Sequence, residues 1–245
     1  MSLPSTIAVD GPAASGKSTV GALLAHTLGY VYFDTGVMYR AVTWAALQRE
    51  LPISGESAIT LLSETLRIEV IRPTRDDGRQ YTVLADGADV TWDLRQPQVD
   101  LHVSPVSAYP GVRRALVAQQ RRIAQQGRIV MVGRDIGTVV LPEAELKVYL
   151  DAVVDERAYR RYLEVVQRRA GELPQGVPAE DPEYVEIRET MVRRDRIDSS
   201  RQVAPLRPAQ DAVIIDTTEM TIQQVLERIL ELVRDGEKGE CGRGV

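Results

Sequence analysis

The sequence has little cysteine, few lysines and no long apolar run, and each scarcity excludes a class of protein. Cys241 is the single cysteine, so no internal disulfide can form, and no Cys/His cluster suggests zinc. No apolar run approaches the length that spans a bilayer, and the first residues lack the basic and apolar segments of a signal peptide. We therefore expect a cytoplasmic protein with no membrane partner.

The sequence has more acidic than basic residues, and its basic residues are mostly arginine. The net charge of −5 argues against general nucleic-acid binding, which needs a basic face. Only Lys17, Lys147 and Lys238 are lysines among 30 cationic residues, which leaves 27 arginines. Arginine's rigid fork suits phosphate and carboxylate, but genome composition also favours arginine, so only the arginines within motifs indicate a site.

The strongest motif lies near the start of the chain. The apolar residues 6–9 predict a buried strand, residues 11–18 fit G-x-x-x-x-G-K-[ST], and helix-forming residues 20–28 follow. Strand, glycine loop and helix together are the context in which this pattern binds nucleotide phosphates. The alternative is a chance Gly/Ala/Ser turn before an ordinary helix, and the lysine, the hydroxyl and both flanks argue against it.

The residues of this loop have separate predicted tasks. The backbone N–H groups and the start of the helix form an anion cradle, Lys17 would reach the β- and γ-phosphates, and the Ser18 hydroxyl would ligate Mg²⁺. The predicted ATP-binding residues of the loop are Gly11, Pro12, Ala13, Ala14, Ser15, Gly16, Lys17, Ser18 and Thr19.

Strands and helices alternate along most of the chain, which predicts a parallel sheet covered by helices on both faces and ligands at the carboxyl ends of its strands. The predicted strands are 6–9, 30–34, 128–132, 146–150 and 212–216, and the predicted helices are 20–28, 37–48, 57–66, 99–107, 110–126, 155–170, 182–196 and 221–234. Residues 67–94 carry two β-rich runs and two Asp-Gly turns, which predicts a small antiparallel insertion that acts as a flap.

A first acceptor constellation follows the second predicted strand. Asp34 and Thr35 would face the same crevice as the phosphate loop, and Arg40, one helical turn further, could pair with a phosphate lying there. The alternative is that Thr35 caps the helix and Arg40 is a surface arginine.

Two further constellations contain arginine beside aspartate. Arg134 and Asp135 lie between two glycines at a strand end and offer a phosphate fork and a hydrogen-bond acceptor; the alternative is an internal ion pair. Arg194, Asp198 and Arg201 are spaced four and three residues apart, so one helical face carries all three. That face suits a phosphorylated sugar, and the alternative is a solvated charged helix.

No catalytic base is evident, and a phosphate acceptor needs none because it is already anionic. Catalysis would then consist of in-line positioning and stabilisation of the transferring group by cations.

These motifs resemble those of the bacterial cytidylate kinase family over residues 5–234. The resemblance rests on residues 10–19, on residues 33–40, on residues 133–142 and on Arg194-x-x-x-Asp198-x-x-Arg201. Residues 133–142 read Gly-Arg-Asp-Ile-Gly-Thr-Val-Val-Leu-Pro. The resemblance implies an α/β three-layer P-loop kinase fold with a five-stranded parallel sheet of order 2-3-1-4-5, a small antiparallel β insertion and a helical lid. It also implies transfer of the γ-phosphoryl group of ATP to CMP or dCMP.

The resemblance assigns roles residue by residue. Thr35, Ser104, Arg113 and Asp135 would face cytosine, and Arg40 and Arg134 would hold its phosphate. Arg194 and Asp198 would meet the ribose, and Arg201 would lie nearby. The lid would close on the ATP phosphates with Arg157, Arg160 and Arg161. Of these three, Arg160 is expected to bind ATP. The expected catalytic residues are Lys17, Arg134, Arg157 and Arg161.

The domain division expected from these assignments has three parts and a tail. Residues 1–50 and 96–234 form the core with a lid within 155–182, residues 51–95 form the monophosphate-binding insertion, and residues 235–245 form a flexible tail. We expect a monomer that uses ATP, Mg²⁺ and CMP or dCMP.

Two rival functions remain at this point. One is another small-acceptor kinase of the P-loop class, for UMP, AMP or shikimate. The other is a GTP-binding switch, which would need a guanine-reading Asn-Lys-x-Asp that the sequence lacks. A panel of acceptors would separate them.

Overall fold

The computed structural model describes residues 3–71, 73–170 and 180–239, and a parallel sheet lies at its centre. The strands within these residues are β1 (Thr6–Asp10), β2 (Val31–Asp34), β3 (Ile68–Ile71), β4 (Thr82–Ala85), β5 (Ala88–Asp89), β6 (Ile129–Gly133), β7 (Leu146–Asp151) and β8 (Val213–Asp216). The central sheet has the order β2-β6-β1-β7-β8, and its strands pair in parallel. Counted along the chain, these five strands have the predicted order 2-3-1-4-5.

Helices cover both faces of this sheet. They are α1 (Lys17–Leu28), α2 (Gly36–Gln48), α3 (Glu56–Thr65), α4 (Pro97–Ala108), α5 (Pro110–Ala124), α6 (Val154–Ala170), α7 (Pro182–Ser199) and α8 (Ile222–Gly239). Alternate strand residues enter two separate cores: Ala8 and Met131 pack with α2, α3, α4 and α5, whereas Val9 and Val132 pack with α1 and α8. Burial on both faces is why these strands read as continuous apolar runs.

The predicted antiparallel insertion is present as a second sheet of order β3-β4-β5. The chain turns between β4 and β5 at Asp86 and Gly87, whose φ angles are 49° and 85°. Two successive positive φ angles are what a two-residue hairpin turn requires, and an Asp-Gly pair adopts them readily. The sequence therefore marked this turn correctly, and the hairpin predicted between the two β-rich runs is the antiparallel pair β3–β4.

Several details differ from the prediction. Residues 136–140 form a wide helical turn in which Leu141 N–H bonds to the Ile136 carbonyl at 2.7 Å, and residues 93–95 form a short 3-10 turn. The last helix continues to Gly239, five residues past its predicted end. The predicted loop 171–181 lies mostly outside the described residues, as do Cys241 and the end of the predicted tail.

Over the described ranges, no helix is both long and apolar enough to cross a membrane. The proposed boundaries of core, insertion, lid and tail stay predictions.

Candidate active site

A cleft of about 710 Å³ opens at the carboxyl ends of β1, β2 and β6. The register explains its position, because Asp10 of β1 lies opposite Gly133 of β6, and Asp34 of β2 lies opposite Val132. The loops that carry the predicted motifs therefore leave the sheet side by side. The predicted site residues that line the cleft are Ala13, Ala14, Gly16, Lys17, Ser18, Thr19, Thr35, Arg40, Ser104, Arg113, Arg134, Asp135, Arg161, Arg194 and Arg201.

The phosphate loop has the backbone shape that its glycines predict. Gly11 has φ 149°, and a Cβ there would lie 2.1 Å from the Leu150 carbonyl oxygen, so no other residue fits without a shift. Gly16 ends the loop with φ 87° directly before α1. The start of α1 therefore faces the cleft with its N–H groups free of intrahelical partners, which favours a bound anion.

The Lys17 side chain is hydrogen-bonded to the backbone of the phosphate loop. Its Nζ donates a 2.7 Å hydrogen bond to the Pro12 carbonyl. The surrounding protein disfavours charge on this amine and, together with Arg134, lowers the pKa of Lys17 to about 7. A phosphate beside the ammonium would supply the missing counter-charge.

Ser18 and Asp34 join the loop to the neighbouring strand. The Ser18 hydroxyl donates to Asp34 Oδ2 at 2.9 Å, and Asp34 Oδ1 accepts from the Gly36 N–H at 2.9 Å. Both side chains line the cleft, so a hydroxyl and a carboxylate oxygen stand together beside the phosphate loop.

Thr35 and Arg40 both line the cleft, so Arg40 is not simply a surface arginine, and Thr35 also occupies the N-cap position of α2. Thr35 precedes α2 but makes no side-chain cap; its hydroxyl donates to the Val132 carbonyl at 3.0 Å. Arg40 donates to the Leu94 carbonyl at 2.9 Å and to Asp100 at 2.6 Å.

Arg134 and Asp135 do not form an ion pair with each other. Asp135 pairs with Arg113, and both side chains are almost fully buried. Arg113 also donates to the Ser107 carbonyl at 3.1 Å and stacks 5.4 Å from the centre of the Tyr39 ring. The second constellation therefore supplies a fixed carboxylate–guanidinium pair at one wall of the cleft.

The turn that follows Asp135 is fixed by Asp10 at the end of β1. Its two carboxylate oxygens accept from the N–H groups of Ile136 and Gly137, each at 2.7 Å. Burial raises the pKa of Asp10 to about 7, against the lowering effect of these two bonds.

The third constellation is divided between cleft and interior. Arg194 and Arg201 line the cleft, but Asp198 is fully buried and pairs with Arg134 and Arg201. Arg201 also donates to the Ser107 hydroxyl at 2.7 Å. Crowded burial lowers the pKa of Arg134 well below its ordinary value, with a further contribution from the nearby charge of Arg194.

The three lid arginines point in different directions. Arg161 lines the cleft, Arg157 is bound to the Ala13 carbonyl at 3.2 Å and to Asp195 at 2.6 Å, and Arg160 donates to the Thr217 carbonyl at 2.6 Å. The predicted site residues that do not line the cleft are Gly11, Pro12, Ser15, Arg157, Arg160 and Asp198.

Comparison with known proteins identifies the family. The family model described as cytidylate kinase matches residues 7–235. The chain belongs to the cytidylate kinase family. A cytidylate kinase of Herpetosiphon aurantiacus is 47% identical over 95% of this chain and 96% of its own length, and one of Streptococcus uberis is 49% identical over 92% and 94%. A solved shikimate kinase of Acinetobacter baumannii in complex with shikimate covers 96% of this chain and 94% of its own, at 18% identity and a TM-score of 0.44.

Membership of the cytidylate kinase family excludes the GTP-binding switch.

Several residues that line the cleft were not predicted from the sequence. The insertion contributes Gln80, Tyr81, Trp92 and Arg95, and α4 contributes Asp100. The Asp-Gly turns predicted the insertion, but no sequence pattern marked its four residues as cleft residues. A lone aspartate on a predicted helix gives no signal at all.

Proposed function

We propose how this member of the cytidylate kinase family transfers the γ-phosphoryl group of ATP to CMP or dCMP. One observation carries the proposal: the phosphate loop with Lys17, and an acceptor wall with Arg40 and the Arg113–Asp135 pair, line the same cleft. A donor and an acceptor held on these two sides would meet between them. In phosphoryl transfer the protein contributes almost entirely by positioning the two reactants and by stabilising charge in the transition state.

The donor would lie on the phosphate loop. Residues 11–19 would surround the ATP phosphates with N–H groups, and Lys17 would contact the β- and γ-phosphates. Arg160 would contact the donor nucleotide only after leaving the Thr217 carbonyl that it now binds.

Mg²⁺ fits the Ser18–Asp34 pair, since both offer the hard oxygen ligands that this cation prefers. Ser18 would hold the cation directly, and Asp34 would orient that hydroxyl or a coordinated water. When bound, Mg²⁺ supplies positive charge against the β- and γ-phosphates.

The acceptor would lie against the opposite wall. Thr35, Ser104, Arg113 and Asp135 would contact cytosine, and Arg40 and Arg134 would hold its phosphate. Arg194 and Arg201 would contact the ribose, with Asp198 behind them. Asp198 could reach a ribose hydroxyl only if Arg134 moved, because its carboxylate is covered by Arg134 and Arg201.

Catalysis would rest on cations rather than on a base. The acceptor oxygen is already anionic, so no proton has to be removed before it attacks. Lys17, Arg134, Arg157 and Arg161 would stabilise the charge on the transferring group and its leaving oxygen. Arg157 would have to release Asp195 to reach a phosphate, whereas Arg161 already lines the cleft. The protein would act on free nucleotides, as a cytoplasmic monomer without nucleic-acid or membrane partners.

An acceptor panel tests the proposed function. ADP formation would be measured with ATP, Mg²⁺ and each of CMP, dCMP, UMP, AMP and shikimate. CMP and dCMP should give the highest kcat/KM, and Lys17→Ala should lose roughly 100-fold or more in kcat, the effect of removing one transition-state donor. Equal or faster turnover of another acceptor would contradict the assignment.

A further inference from the structure

Asp100, in the first turn of α4, lies where three arginines from three different helices meet. Arg40 of α2 contacts its Oδ1 at 2.6 Å, and Arg194 of α7 contacts the same oxygen at 3.5 Å. Arg161 of α6 contacts Oδ2 at 3.2 Å. Asp100 and all three arginines line the cleft. One carboxylate therefore connects an arginine proposed for the acceptor phosphate, one proposed for the ribose and one of the lid.

The three guanidiniums offer more than this carboxylate can accept. Each guanidinium has five N–H donors, whereas a carboxylate has two oxygens and one negative charge. Arg194 Nε is buried and, among the described residues, has no hydrogen-bond partner. Burial lowers the pKa of Arg194 to about 10, and the neighbouring charge of Arg40 adds to the effect. The cluster therefore has both donors and positive charge left over for a further anion.

Asp100 is itself charged at neutral pH. Burial opposes the charge, but Arg40 and Arg194 outweigh that effect and hold the pKa of Asp100 below its ordinary value. Without this charge the three arginines would repel one another across the cleft.

We propose that Asp100 is a built-in substitute for the phosphate of the acceptor nucleotide. Its carboxylate gathers Arg40, Arg161 and Arg194 before a nucleotide arrives, and it gives up part of these contacts when the phosphate enters. A nucleotide phosphate brings three terminal oxygens and nearly two negative charges, so it matches the surplus donors better than a carboxylate does. This inference rests on the proposed role of Arg40 at the acceptor phosphate.

Such a substitute makes the site selective. A small anion has to compete with Asp100 for the arginines and has no base or sugar contacts to add. A whole nucleotide gains those additional contacts, so it can displace the carboxylate where inorganic phosphate binds weakly. The opposite role is that Asp100 positions the arginines for binding, in which case its removal would weaken phosphate binding.

The sign of one measurement separates the two roles. Inorganic phosphate would be titrated by calorimetry into the full chain and into Asp100→Asn, which keeps the shape and removes the charge. Inhibition of the kinase reaction by inorganic phosphate would also be measured at varied CMP and at varied ATP. We expect the variant to bind phosphate about 10-fold more tightly, the effect of removing one competing charged contact. The tighter inhibition should compete with CMP and not with ATP.

Glu164→Gln is the matched control. Glu164 also lines the cleft and binds Arg161 at 2.9 Å, but it is 54% exposed and touches neither Arg40 nor Arg194. Its removal should change phosphate binding less than about 2-fold. If Asp100→Asn fails to fold, Asp100→Ser removes the same charge and gives the same test.

Unchanged or weaker phosphate binding in the charge-removed variant would overturn the proposal. An effect of equal size in Glu164→Gln would also overturn it, because the change would then reflect net charge alone. The proposed function fails separately, through the wild-type acceptor panel, since the calorimetric titration of phosphate requires no turnover.

Discussion

Ser18 donates its hydroxyl hydrogen to Asp34 across 2.9 Å, so the first turn of α1 and the end of β2 are joined at the cleft. The two residues are 16 positions apart in sequence and belong to different predicted motifs. Each was predicted to face the crevice, and the sheet order brings them into contact. The pair gives the predicted Mg²⁺ ligand a carboxylate partner, which the P-loop motif alone does not specify.

Asp34→Asn should weaken the use of Mg²⁺. The amide oxygen can still accept from the Gly36 N–H, so the start of α2 stays in place, but the negative charge beside Ser18 is lost. We expect the Mg²⁺ concentration for half-maximal rate to rise by about 10-fold, as for loss of a residue that orients a metal ligand. Titration of the rate with Mg²⁺ at saturating ATP and CMP measures it. An unchanged Mg²⁺ dependence would remove Asp34 from the metal site.

ATP binding should take up a proton through Lys17. The pKa of Lys17 is about 7 in the protein, and bound phosphates favour its charged form, so the pKa must rise on binding. Above pH 7 the free amine is mostly neutral and the bound one is protonated. Calorimetry at pH 8 in two buffers of different ionisation enthalpy should therefore show uptake approaching one proton.

Lys17→Arg is the control for this measurement, because a guanidinium is protonated in both states. It should bind ATP with little proton uptake. Uptake that persists in this variant would belong to another group, and Asp10, with its pKa near 7, would be the first candidate.

Much of the fold followed from the sequence because it depends on local patterns. The alternation of apolar strands and helices predicted the layers, and the Gly11–Ser18 pattern predicted the phosphate loop. The environment of Asp100 could not be predicted, because its arginine partners are 60, 61 and 94 residues away and only the packing of four helices brings them together. The wide turn at residues 136–140 was missed because no hydrophobic period signals such bonding.

Asp10→Asn should destabilise the protein through the turn that follows β6. The two carboxylate oxygens accept from the N–H groups of Ile136 and Gly137, and an amide has one oxygen for the two donors. One buried N–H then faces an NH₂ group, which should cost about 1–3 kcal/mol in the free energy of unfolding. Urea unfolding measures the loss.

Asp151→Asn is the comparison for Asp10. The Asp151 carboxylate is exposed and accepts from a single N–H, that of Ala152, at 2.9 Å. Its replacement should change the free energy of unfolding by less than about 0.5 kcal/mol. Equal losses in the two variants would show that the two hydrogen bonds accepted by Asp10 contribute no more to the free energy of unfolding than the single one at Asp151.

Asp135→Asn tests how the cleft would tell cytosine from uracil. An ionised carboxylate can only accept, so it suits the N4 amino group of cytosine and repels O4 of uracil, whereas an amide can also donate to O4. Direct contact therefore predicts a loss in kcat/KM with CMP and a relative gain with UMP. The ratio should shift by about 10- to 100-fold, the size of one good polar base contact.

The competing role of Asp135 is to orient Arg113, and the structure makes the two roles separable. Arg113 is also held by the Ser107 carbonyl and by the Tyr39 ring, so it stays anchored when the charge of Asp135 is removed. A change in the ratio would then report contact between Asp135 and the base. If Asp135 only orients Arg113, kcat/KM should fall for CMP and UMP together. Such a parallel fall, in a variant whose thermal unfolding shows that it is folded, would end the proposal of direct contact, because a residue that reads the base must change the ratio of kcat/KM between CMP and UMP.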